Sequence, residues 1–424
     1  MYKNYRKGQF YFRSRYLFLG LLGFSLLSPV ASANEDGFFQ SERRRGQFPQ
    51  QEGRLILPMP YSLPGLGSGL MIVGALANIG DSHTDTYVVG LLGDVEGYVL
   101  GLEDIHLVDE TVIIDLQGND ISKATVQQYS TRGMDSSKDD YQYLEVSDVE
   151  FFNPQIRFLF NQRRVEFSIG SSYQRVNLDR ILDKDSNPLQ DIDLTEPHRS
   201  YFWGVALDFT DDMYDPRKGV SFTLTNSLSP RQSDDAPDFS VWDISMSLYF
   251  PMGKQSTLGF NYRNSRAIVD SPGETDAAIL AGPNHYNCNL ADASCQSLVS
   301  NAQAANRNGT AASLGGDSLL RAYPMDRFKG AAMAYFSSEF RWNITEESTP
   351  FNYWIWKDVR TSIQVAFFYE LGTVAESQSG LWDLSRDTLG VGLRMVSASG
   401  YTYRLDLAVG DEGSATSIMF NYPW

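Results

Sequence analysis

The chain has 424 residues, with 52 acidic against 35 basic side chains and a net charge of −17 at pH 7. That balance argues against nucleic acid and anionic lipid surfaces as electrostatic partners. Hydrophobic residues make up 42% of the chain, and no segment after its start stays apolar for the length of a membrane helix, so any bilayer crossing falls to strands.

Residues 1–33 read as a secretory signal peptide. Lys3, Arg6, Lys7, Arg13 and Arg15 form a basic region, Leu17–Val30 an apolar run too short to span a bilayer, and Ala31-Ser32-Ala33 a small-residue cleavage site. Removing these 33 residues, five basic and none acidic, takes the net charge from −17 to −22. Residues 34–66, with Arg43-Arg44-Arg45 and scattered Gln and Pro, read as a short disordered periplasmic leader. Residues 67–424 read as one barrel domain. Gly65-Leu-Gly-Ser-Gly69 has no following Lys-Ser/Thr and no helix, so it is a flexible entry to the first strand and not a phosphate cradle.

From there the chain alternates with period two. Fourteen strand candidates are clear, near 68–79, 85–107, 111–128, 142–160, 163–178, 199–210, 219–229, 237–250, 255–268, 330–344, 359–374, 385–397, 400–410 and 412–424. Gly93-Asp-Val-Glu-Gly97 is a possible extra turn, so about 16 strands are expected, and an even number puts both ends of the sheet on the periplasmic side. On one face run Ile363, Val365, Phe367, Tyr369 and Leu371, opposed by Gln364, Ala366, Phe368, Glu370 and Gly372; Arg341, Arg394, Arg404 and Asp406 also fall on the polar face. A soluble sandwich alternates too. Export, charges on the inner face, tight turns at 215–219 and 251–253, and long loops near Asp179–His198 and Asp270–Leu319 favour a transmembrane antiparallel all-β barrel. The final segment puts Ile418, Phe420, Tyr422 and Trp424 on one face. Its terminal aromatic resembles the signal by which outer-membrane barrels are recognised for assembly, and Pro423 is tolerable at a strand end.

Cys288 and Cys295 are suited to one local disulfide in an exported chain. Free thiols or a weak metal site are the alternatives, with His285 the only nearby histidine. His83, His106 and His198 have no ligand spacing, so neither metal nor cofactor is expected. Gly316-Asp-Ser-Leu319 spells the start of a lipase motif, but no His follows His285, and the chain is expected not to be an enzyme; an outer-membrane hydrolase using Ser318 is the least favoured reading.

Four motifs then occur in order: the turn Asp211–Gly219; Leu320-Arg321-Ala322-Tyr323; Glu339-Phe340-Arg341; and Phe368-Tyr-Glu370-Leu-Gly372. Together, over about 202–424, they resemble the outer-membrane assembly-factor superfamily that includes BamA, TamA and the two-partner secretion translocators. The resemblance implies that an extracellular lid, here about 270–329, folds back into the lumen. Its Arg321 would pair with Glu370, with Tyr323, Glu339, Arg341 and Gly372 completing the lock. An arginine fork inside a lumen needs such a carboxylate. Ala322 stands where the family has Gly, and Glu370 where it has Asp. If the family Gly needs positive φ, Ala322 must strain or turn differently. Family members that handle substrates carry POTRA domains, for which 34–66 leaves no room, so the resemblance implies barrel and lid more directly than an insertase.

These readings converge on an outer-membrane protein in contact with its lipids, inserted by the barrel-assembly machinery, and handling client proteins or lipids. A seam between the first strand, near Leu70–Ile79, and the last, with Phe420, Tyr422 and Trp424, would open. A passive pore or surface antigen is the competing reading.

Overall fold

A computed structural model describes residues 53–283, 285–345, 350–351, 359–397, 402–420 and 422–424. The expected signal peptide and residues 34–52 of the expected leader lie outside them. The first strands are β1 (Gly53–Leu63), β2 (Gly67–Ala77), β3 (Asp85–Gly93) and β4 (Val95–Val108). Longer ones follow: β5 (Val112–Tyr129), β6 (Tyr141–Phe160), β7 (Val165–Leu182) and β8 (Pro188–Asp208). Then come β9 (Gly219–Ser229), β10 (Asp238–Pro251), β11 (Ser256–Ser271) and β12 (Ala332–Asn343). The last are the two-residue β13 (Pro350–Phe351), β14 (Val359–Ala375), β15 (Arg386–Ser397), β16 (Thr402–Gly410) and β17 (Gly413–Phe420).

Each strand pairs antiparallel with its chain neighbour, β12 pairs with β14 past β13, and β17 returns to β1. Leaving aside β13, which pairs only with the start of β14, sixteen strands close into a barrel, the closure between β1 and β17 being made at the described pair Ser62 and Ile418. The two strands beyond the fourteen are accounted for. Gly93 (φ 126°) lets the chain reverse at Asp94, splitting 85–107 into β3 and β4. The other is β1.

Two expectations are corrected here. The part of the leader from Gly53 to Leu63 is not disordered. It is β1, paired residue for residue with β2, and Pro64-Gly65, with Leu66 N–H donating to Leu63 O (3.0 Å), is the turn between them. Residues 179–198 are not a long loop: polar residues continue β7 and β8 as a ladder, with Arg180 on Asp191 (2.7 Å) and Thr195 on Asn177 (3.0 Å), around a turn capped by Asp183.

The period-two reading holds for both faces. Phe367, Leu389, Val391, Leu393, Leu407 and Val409 are exposed on the outside, as a lipid-facing surface requires, while Ala366, Phe368, Arg394, Arg404 and Asp406 are buried inside. The inside is filled differently on its two sides. From β1 to β7 its largest cluster is apolar, with Met59, Tyr61, Met71, Val73, Val89 and Val99 together, and a buried ion-pair group of Asp104, Asp115, Arg157, Arg163 and Glu166 lies at one end of β4–β7. From β12 to β16 it is charged. Between β11 and β12 the lid runs inward, after an outer cap of two helices, α1 (Ala277–Ala281) and α2 (Ala293–Asn308), joined to the preceding turn by the Cys288–Cys295 disulfide.

Candidate functional site: a lid seated on a charged wall

The tip of the lid is built from tight turns. Gly315 (φ 111°) and Gly316 (φ 109°) reverse the chain, with Gly315 N–H donating to Leu319 O (2.8 Å) and Gly316 N–H to Tyr323 O (2.9 Å). A side chain at Gly315 would collide with the Pro324 carbonyl, so glycine is required there. The tip's other left-handed residue is Leu320 (φ 55°); Ala322 is not among the positive-φ residues. Ala322 therefore carries no left-handed strain, because in this turn the left-handed position is Leu320.

Arg321, fully buried, is presented by that turn to three carboxylates. Its backbone N–H and Nε donate to Glu370 (2.7 and 2.8 Å), Nη1 donates to Asp406 (2.7 Å), and Nη2 reaches Glu339 at 3.5 Å. The guanidinium lies 3.4 Å from the centre of the Phe368 ring. Burial works against the charge on Arg321, but Glu370, Asp406 and Glu339 more than offset it, so it is held firmly protonated. Glu370 also accepts from Tyr335 (2.8 Å).

Glu339 is the second hub. It accepts from Arg341 Nε (2.7 Å) and Arg394 Nη1 (2.6 Å), with Arg394 Nη2 in close contact as well. Arg404 joins Asp406 to Asp317 at the lid's entry, donating to Asp317 O (2.7 Å) and Oδ2 (3.1 Å). Four guanidinium groups thus face Glu339, Glu370, Asp406 and Asp317, four carboxylates in all, so the buried network is close to neutral. Balance of that kind is what makes ion burial tolerable; taking away one member leaves the others uncompensated.

Small residues make the seat. A Cβ at Gly372 would come within 2.7 Å of Leu314 and 3.0 Å of Leu320, and one at Gly410 within 2.9 Å of the Tyr323 ring. Tyr323, fully buried, accepts from Asp411 N–H (3.2 Å) and donates to Asp387 O (3.3 Å), and burial pushes its hydroxyl up to about 12. The residues expected from the sequence as the lock, Arg321, Tyr323, Glu339, Arg341, Glu370 and Gly372, therefore meet in one place.

Three features have no clear signature in the sequence. Asp406 and Arg404 are legible there as inward charges but not as partners of the lid. Arg327 makes a second anchor, bidentate to Glu412 (2.7 and 2.6 Å) and lying over the rings of Tyr129 and Phe328. At the opposite end of the barrel, Arg157 and Arg163 bind Asp104, Asp115 and Glu166. Asp104 joins them through a bulge that sets it at φ 52°, which no alternation pattern marks.

The last residues depart from expectation. β17 ends at Phe420, whose side chain lies outside the described ones, and Tyr422 and Trp424 are not on the lipid face. Tyr422 donates to Asp215 (2.5 Å) and lies 4.2 Å from the Arg341 guanidinium. Trp424 donates to Ser337 (3.2 Å), stacks on Tyr249, and occupies the space left by Gly259. Both lie inside, against the charged wall. The expected seam moves too: Leu70–Ala77 belongs to β2, between β1 and β3, and the barrel closes between β1 and β17. Ser318 donates to Asp317 (3.1 Å), which also accepts from Arg404 (3.1 Å), while His285 faces Asp235 (3.8 Å).

No protein-family model matches the chain, and no curated protein matches it. It is similar to solved barrels. Against BamA from Haemophilus ducreyi lacking POTRA domains 1–3, identity is 12% and TM-score 0.47, over 89% of this chain and 75% of that one. Against CdiB from Escherichia coli the values are 11% and 0.48, over 87% and 66%. Against CdiB from Acinetobacter baumannii they are 10% and 0.48, over 87% and 59%.

Proposed function

We propose that the protein is a bacterial outer-membrane barrel that moves or inserts lipids or client proteins through the seam between β1 and β17, with the lid keeping the lumen shut. The observation that carries this reading is the pairing of a sealed interior with a minimal closure. The lid is held by Arg321 among three buried carboxylates, while the described register between β1 and β17 is one Cα pair, Ser62 with Ile418. A plugged lumen does not suit diffusion through the middle, and a weakly paired seam offers a lateral route. A passive pore or surface antigen, the second reading, needs no such asymmetry. On the proposed reading the barrel is itself a client of the cell's barrel-assembly machinery.

The test is a tether. Ser62→Cys with Ile418→Cys, oxidised in the membrane, is expected to abolish complementation of a deletion strain, and reduction to restore it. Full complementation by the tethered protein sinks the reading in favour of a static barrel.

A further inference from the structure

We propose that the β1–β17 seam is a port for acyl chains and not a template for an incoming β-strand, and that Pro58 and Pro60 make it so. The inference rests on the lateral-seam reading above and names what passes. Along β1 the backbone groups of alternate residues point to opposite neighbours. Leu63 turns its carbonyl toward β2, where Leu66 N–H donates to it. The even-numbered residues therefore face β17, in agreement with the bond from the β16 side chain Tyr403 to Pro60 O (3.3 Å), and Ser62 is the residue that pairs there with Ile418. Pro58 and Pro60 thus lack N–H donors on the seam side, and only there.

Continuing the antiparallel register from Ser62 and Ile418 sets Pro60 opposite Phe420 and Pro58 opposite Tyr422. That is where the ladder stops and where Tyr422 and Trp424 leave for the interior. The Pro60 carbonyl is itself taken by Tyr403. An incoming strand would find two donors missing and one acceptor occupied on this edge.

An acyl chain needs no backbone partners, only apolar surface on both sides of the gap. Outside lie Ile56, Leu70, Ile72 and Leu76, all exposed. Inside lie Met59 on β1, Met71 on β2, Met419 on β17 and Met325 on the lid, in one cluster. Methionine is unbranched and repacks readily, so this lining can part for a flexible hydrocarbon without exposing charge. The surface is continuous with the lipid-facing exterior, which makes the bilayer's own acyl chains the occupant.

The experiment uses the full chain in 3:1 phosphatidylethanolamine–phosphatidylglycerol vesicles doped with phosphatidylethanolamine bearing a mid-chain diazirine. After illumination, labelled residues are mapped by mass spectrometry. We expect label on Met59, Tyr61 and Met71 as well as on the outward Leu389 and Leu407. In Pro58→Val/Pro60→Val, inward label should fall at least fivefold with outward label unchanged. The single Pro58→Val variant, and a heat-modifiability check of folding, cover the case in which the double variant misassembles. A synthetic peptide of residues 413–424 carrying a photoprobe is run in parallel. Absence of inward label in the unmodified protein, or in-register crosslinking of the peptide to β1, overturns the proposal. The Ser62–Ile418 tether separates the two ideas: if it abolishes function while inward residues stay unlabelled, the lateral reading stands and the acyl port fails; if the tethered protein functions fully, the lateral reading itself fails.

Discussion

The two walls of this barrel obey the same alternation and solve the same problem in opposite ways. On β1–β7 the largest cluster of inward side chains is apolar and packs on itself, and the lid meets that wall through Met325 in the cluster and Arg327 over the Tyr129 ring. On β12–β16 the inward positions include Glu339, Arg341, Glu370, Arg394, Arg404 and Asp406, all essentially without solvent contact. One of these charges depends on the lid: without Arg321, Glu370 keeps only Tyr335 among its described side-chain partners, whereas Asp406 keeps Arg404 and Glu339 keeps Arg341 and Arg394. The charged wall is therefore a socket for Arg321, and the other wall ends at the β1–β17 closure, whose described register is one Cα pair. Period-two patterning tells inside from outside on both, but only the chemistry of the inward residues tells which side must receive a partner.

The hardest way to break this contrast is Arg321→Ala. It leaves Glu370 without its cation, and loss of one member of a buried ion network typically costs about 3–5 kcal/mol. We expect a lowered midpoint for heat-induced unfolding in detergent and a rise in single-channel conductance in planar bilayers as the lid leaves. Arg321→Lys should recover only part of either, because an ammonium cannot serve Glu370, Asp406 and Glu339 at once. Unchanged conductance in Arg321→Ala would remove the lid from the closure. On the other wall, Met71→Ala should cost about 2–4 kcal/mol through the cavity it leaves, yet leave conductance at its resting value. A conductance rise there would mean that the two walls are not separate devices.

How much of the molecule is legible in the sequence follows the same division. Inward charges on a strand announce themselves, as at Glu339, Arg341 and Glu370, while Arg321 on the lid is singled out only by the resemblance of its motif; the structure brings the four together. The left-handed conformation of Leu320 (φ 55°) cannot be read in advance, since neither alternation nor a glycine marks that position. β1 is hidden by Pro58 and Pro60, which argue against a central strand; they are tolerated because their nitrogens face the seam. Alternation extended along β17 puts Tyr422 and Trp424 on the lipid face, but the strand ends at Phe420, and beyond it no ladder remains to impose a period. Asp104 and Arg163 sit in a bulge and a turn, outside any periodic register.

Gly372→Val sharpens the contrast at a smaller scale. Its added carbons must displace Leu314 and Leu320, which approach the Cβ position to 2.7 and 3.0 Å. Overpacking of this kind costs about 1–3 kcal/mol. Because both neighbours belong to the lid, the expected result is a less protected lid, seen as faster hydrogen exchange over 312–328, with the exchange of β1–β7 unaltered. Slowed exchange, or equal change on both walls, would show that the seat is not where the lid is held.

The smallest expected effect is also the most selective. Tyr323→Phe keeps the ring against Gly410 and removes only the hydroxyl that bridges Asp411 N–H and Asp387 O, a loss of about 1 kcal/mol. The hydroxyl is pushed up to about 12 by burial, so the seated lid favours its protonated form. A group raised in this way contributes fully below its ordinary value near 10, and its contribution fades as pH climbs from there to about 12. Lid protection in the parent should therefore fall across that alkaline window, and Tyr323→Phe, already lacking the hydroxyl, should start lower and fall less. Parallel curves for the two proteins would mean that other tyrosines, such as Tyr129 beneath Arg327, govern the alkaline release of the lid.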